Sequence, residues 1–237
     1  MANYPTIEGS IVTGKHETNA YYHEITMPSS IVVTDHILVI FVIDTSANWE
    51  SYYSTIYSST GTWDFHNSYK SSSFEIDILV GHPTTGGSIA LTIEYPELQM
   101  STYIAMRISA LNTCDLTGMH SENNDHYTLD YAGSTSTNAD PPEIVTSDGG
   151  SQYYLDIAFA AFAGILTASA APTTYSGFTT ETATSTENNS IAFAYKQTQC
   201  LGINPGYFTS DNATWTALNM MMYPQIACEV TNLLINI

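Results

Sequence analysis

Residues 37–43 read Ile-Leu-Val-Ile-Phe-Val-Ile and residues 157–162 read Ile-Ala-Phe-Ala-Ala-Phe. Neither run approaches the ~20 apolar residues of a membrane-crossing helix. Short continuous runs of this kind, bounded by turn residues, are the pattern of strands covered on both faces, so both are expected to be central strands. Working outward, shorter runs rich in β-branched and aromatic residues recur between Gly, Ser, Asn, Asp and Pro clusters, and helical periodicity is nearly absent. The expected strands are 6–13, 21–27, 37–44, 62–66, 74–80, 88–95, 102–109, 127–131, 153–163, 175–180, 191–197, 214–222 and 226–235. No blade-length repeat is visible, which favours a sandwich over a propeller. The expected fold class is all-β, a jelly-roll-like β-sandwich.

Sliding the chain against itself by about 117 positions brings residues 37–41 onto 154–158 and 73–78 onto 190–195. Residues 55–59 fall one position further along, on 173–177, and 103–107 meet 215–219 at a spacing of 112. Each half is entered through proline, at Pro28 and at Pro141-Pro142. The expectation is one unit, 1–237, made of pseudo-repeated halves of approximately 1–118 and 119–237, each too small to bury its apolar face alone. The low-complexity string GSTSTNAD, followed by the two prolines, reads as an exposed connector near 133–142.

Composition narrows the function classes. Hydrophobic residues at 43% against charged residues at 11% exclude a disordered chain. Four Lys plus Arg against 23 Asp plus Glu give a net charge of −19, which offers no basic footprint for nucleic acid or anionic lipid. The amino terminus has neither a cationic start nor an apolar stretch behind it, so the chain is expected to stay in the cytoplasm or to leave by another route, such as cell lysis. Cys114, Cys200 and Cys228 show no CxxC or Cys/His metal spacing; a Cys200–Cys228 bridge stays open.

No GxSxG, HExxH, Walker loop or GxGxxG occurs, and the seven histidines are scattered singly. Glu75 and Asp77, two apart on an expected strand, share a face as the carboxylate pair of a β-sandwich glycosidase would. The matching positions in the other half, Ala192 and Ala194, argue against catalysis and for a face exposed to solvent in one half and packed in the other. Loop aspartates such as Asp44, Asp140 and Asp211 form no DxDxDG calcium loop. The chain is expected to be non-enzymatic, with no catalytic residue, metal or cofactor. The aromatics Trp49, Tyr52, Tyr53, Tyr57 and Trp63 are the candidate contact surface, because flat rings expose rigid area at low entropy cost; half of them are expected in the core. Leu233, Leu234 and Ile235 make an apolar chain end that needs covering by its own sheet or a neighbour.

The ordered strings YHEITMPSSIVVTDHILVIFVID (22–44), PPEIVTSDGGSQYYLDIAFAA (141–161), PTTYSGFT (172–179), SIAFAYKQ (190–197) and ATWTALNMMMYP (213–224) cover most of the chain. In that order they resemble a group of bacteriophage virion proteins common in marine phages. Tyr57 and Tyr175 stand where that pattern usually has tryptophan, and Lys196 where it more often has arginine. The resemblance implies a capsid-decorating, head-fibre or tail-associated structural protein on the exterior of the particle, made in the host cytoplasm. Its implied partners are the major capsid protein, other virion proteins and further copies of itself. A receptor- or carbohydrate-binding module of a phage fibre is the alternative.

Overall fold

The computed structural model describes residues 4–44, 55–109, 127–145, 153–164, 178–186, 188–199 and 202–223. Every regular element among them is a strand: β1 (Thr6–Ile7), β2 (Val12–Ile25), β3 (His36–Asp44), β4 (Thr55–Ser58), β5 (Thr62–Lys70), β6 (Phe74–His82) and β7 (Leu91–Ser109), then β8 (Tyr127–Ala139), β9 (Ile144–Val145), β10 (Tyr154–Ala163), β11 (Thr179–Ser185), β12 (Asn189–Thr198), β13 (Gly202–Ile203) and β14 (Phe208–Met222). The first sheet runs β1-β7-β3-β6-β5, with β2 and β4 also paired to β7, and the second runs β11-β12-β10-β14-β8. A two-stranded sheet joins β9 and β13. The fold is all-β, and the two large sheets pack face to face.

The two quoted runs form β3 and the body of β10, each flanked on both sides within its sheet. Their even-numbered and odd-numbered side chains serve different cores. Leu38, Ile40, Val42, Ile76, Ile78, Ile104 and Met106 of the first sheet meet Leu155, Ile157, Phe159, Phe193, Leu218 and Met220 of the second, all buried. On the outer face of the first sheet, Ile37, Val39, Phe41 and Ile43 are covered by Ile25, Leu91, Ile93 and Tyr95. Those covering residues sit at the far ends of β2 and β7, which bend over their own sheet at register shifts between His16, Ala20 and Tyr22. Pro96, which has no N–H to give a ladder, falls inside the shifted stretch of β7. The second sheet repeats the device more thinly: Phe208, at the start of the bent strand β14, joins Ala139 and Trp215 over Ala158, Ala160, Ala192 and Ala194.

The two sheets share one plan. Taken by place in the chain, β2-β7-β3-β6-β5 corresponds to β8-β14-β10-β12-β11. Registers correspond as well: Ile40 lies opposite Ile78, and the residues 117 further on, Ile157 and Tyr195, lie opposite each other. Ile40 also faces Ile104, and Ile157 faces Met220, so β7 maps onto β14 at 116. The spacing of 112 expected for this strand is four too short. A slip of an even number of residues keeps every side chain on its face, so apolar alternation cannot detect it. The turns before β6 and β12 match in detail. Ser71 N–H donates to the Phe74 carbonyl at 2.9 Å and Thr186 N–H to the Asn189 carbonyl at 2.8 Å. In each turn the side-chain hydroxyl of the first residue also accepts from the N–H of the last.

Several expectations need correcting. The segment Gly133–Ala139 is no connector: it is the edge portion of β8, paired with β14. Segments 88–95 and 102–109 belong largely to one bent strand, and most of 21–27 joins the end of 6–13 in another, whose first two residues form the separate β1. Glu75 and Asp77 are buried, as are Ala192 and Ala194, so that face is enclosed in both halves. The expected strand 226–235, with Leu233, Leu234 and Ile235, lies outside the described residues.

Candidate contact surface on the bent arm

The outer side of the arm is set by strand alternation. Leu91, Ile93 and Tyr95 point into the core, which turns Thr92 and Glu94 outward. Tyr22 of β2 and Thr55 of β4 lie directly opposite Glu94 on its two sides, and Tyr57 lies opposite Thr92. Three strands thereby bring two tyrosines onto one carboxylate. The Tyr57 hydroxyl donates to Glu94 Oε2 at 2.6 Å, and the Tyr22 hydroxyl is hydrogen-bonded to Glu94 as well. Both phenols titrate above the usual tyrosine range, first because the hydrogen bond to Glu94 favours the protonated form. Yet the rings remain 56% and 51% exposed. Tyr21 and Leu98, also exposed, stand near the register shift beside them.

The shared carboxylate holds both rings by their polar ends and leaves their faces open to solvent, with little rotamer freedom. Beneath it the arm is sealed by polar groups that hold one another. Asp77 accepts a short hydrogen bond from the Tyr95 hydroxyl. His23 Nδ1 lies 2.7 Å from Ser101 Oγ, and its ring stands edge-on to Phe41 and Tyr95. Burial, then the neighbouring His16, depresses the His23 pKa to about 4. The carboxylates of Glu75 and Asp77 are thus both buried, that of Asp77 beneath Tyr95 of the arm.

Of the expected contact aromatics, Tyr57 takes part in this surface. Trp63 does not: it packs against the outer core of the first sheet, over Gly81, where an added Cβ would lie 2.6 Å from the indole. Trp49, Tyr52 and Tyr53 lie outside the described residues. Asp44 is no loop ligand: its carboxylate accepts from Asn188 Nδ2 at 2.8 Å and Asn189 Nδ2 at 2.5 Å. Among the described residues no three His, Cys, Asp or Glu side chains gather as a metal site would require. Sequence reasoning missed Tyr22 and Glu94, whose only signal is a pairing between strands distant in the chain. Comparison with protein-family models, curated proteins and solved structures found no match.

Proposed function

We propose that this chain is a non-enzymatic structural protein on the exterior of a phage particle, attached through surfaces such as the Tyr22–Glu94–Tyr57 platform. The platform carries the proposal: two exposed rings held on one carboxylate. The resemblance of the ordered motifs to those of marine phage virion proteins supports the same reading. So does charge, since a chain at −19 facing packaged DNA would be repelled at close range. Repetition on a particle lattice makes individually modest contacts sufficient, because each bound copy raises the effective concentration of the next contact.

The test is gold-labelled antibody against the chain on intact and disrupted particles. Label on intact particles, lost when Tyr22→Ala and Tyr57→Ala are combined in a chain that still folds, is the expected result. Label appearing only after disruption would refute an exterior position.

A further inference from the structure

We propose that the groove between the β5–β6 turn and the β8–β14 edge binds a short uncharged saccharide. The groove measures about 530 Å³, and its walls include Tyr69 and Ser71 from the first sheet and Gly133, Thr135, Thr214 and Thr216 from the second. That volume lies within the range of small-molecule sites, about 300–1,000 Å³.

Its character follows from the strands that build it. Along β14, Leu218 and Met220 face the other sheet, so Thr214 and Thr216 do too, while Trp215 turns to the opposite core. Thr135 lies opposite Thr214, their hydroxyls 3.2 Å apart. Gly133 lies opposite Thr216, and an added Cβ there would stand 3.5 Å from Thr216 Oγ1. The missing side chain leaves room over a threonine that is buried and makes no side-chain hydrogen bond to another described residue. A hydroxyl without a partner at the floor of a concave site is binding capacity that water or a ligand hydroxyl must meet.

The opposite corner of the same end of the sandwich shows what closes such a gap. There Asn189, in the matching turn, bonds Asp44, and Thr102 Oγ1 donates to its Oδ1 at 2.8 Å, tying one sheet to the other. At the groove the turn position of Asn189 is taken by Phe74, which enters the central core, and Ser71 keeps its hydroxyl within its own turn. Among the described residues no carboxylate lines the groove, and Lys70 at its rim is turned by strand alternation to the outer side of the sheet, since Tyr69 beside it packs on the central core. Hydroxyl walls and one tyrosine ring match a neutral polyol ring better than a cation, a nucleotide or an acidic sugar. This inference stands on the groove alone and does not depend on a place in a virion.

The experiment is titration of the isotope-labelled full chain with maltotriose, cellotriose, mannotriose and triacetylchitotriose, and with trigalacturonate as the acidic counterpart, followed by backbone amide shifts at low and high salt. At least one neutral trisaccharide is expected to move the amides of Thr135, Thr214 and Thr216 with a Kd unaffected by salt. Thr216→Val should weaken that binding by about 3–10-fold, the worth of one neutral hydrogen bond. Thr135→Tyr, on an exposed edge strand, should fill the groove and abolish binding at an unchanged melting midpoint. The proposal is overturned if no neutral sugar binds, if only trigalacturonate does, if the shifts centre on Tyr22 and Tyr57 instead, or if folded Thr135→Tyr binds as before.

Discussion

Two buried side chains carry opposite pH signatures. His23 is folded in its neutral form, with a pKa near 4 against an ordinary value of about 6.5. The unfolded chain therefore takes up a proton at His23 well before the folded one. Stability from this group is complete above the ordinary histidine pKa and is lost as pH falls toward 4, by up to about 3 kcal/mol. The His23 ring protons should show a midpoint near 4 by NMR; a normal midpoint would mean that the arm does not seal it. Asp156 behaves in reverse. It is 0% exposed, neither carboxylate oxygen has a hydrogen bond, and burial raises its pKa despite the opposing charge of Lys196. An acid held neutral in the fold costs stability as pH rises above the ordinary aspartate value, because there the unfolded state alone ionises. Asp156→Asn should leave stability nearly unchanged near pH 3 and improve it progressively toward neutrality, as urea midpoints at successive pH values would show.

At the level of elements, the clasp between β12 and the ends of β3 and β7 is a polar seam beside the apolar core between the sheets. Asn189→Ala strips partners from Asp44 and Thr102 at once and should cost about 2–3 kcal/mol, read from denaturant unfolding. Ser71→Ala, which disturbs only a solvent-side turn, should cost about 1 kcal/mol or less. The strands most legible in the sequence were those with both faces covered: β3, β6, β10 and β12 match their expected bounds within about two residues, because continuous apolar runs have sharp ends. What stayed illegible has a physical cause in each case. Pro96 reads as a break, yet it sits where β7 bends and no ladder bond is asked of it. GSTSTNAD carries no apolar signal because, on an edge, its hydroxyl side chains meet water and Thr214, and pairing with β14 supplies the order that its own composition lacks. The Tyr22–Glu94–Tyr57 platform was half visible: Tyr57 stood out as a candidate, while Glu94 acquires meaning only from the register that sets it between two tyrosines.

For the whole molecule, charge governs association. Copies carrying −19 each repel at low ionic strength, with a screening length that falls from about 30 Å at 0.01 M to about 3 Å at 1 M salt. Self-association, measured as oligomer mass by light scattering, should strengthen as salt rises; weakening would point to attraction between opposite charges instead. The composition announced this charge but not its context, since only the folded chain shows that Glu75, Asp77 and Asp156 lie within the outer cores and not on the surface. The allocation of one half of the chain to each sheet also sets a timetable. All strands of the first sheet are complete by Ser109, whereas the second needs Met222. At ~5–20 residues per second on a ribosome, about 6–23 s separate the two events. Through that interval Leu38, Ile40, Ile78 and Ile104 form a finished apolar face with nothing yet synthesised to cover it. The nascent first half is therefore the stage at which this protein most needs a chaperone, and the stage at which two neighbouring chains are best placed to pair with each other by mistake.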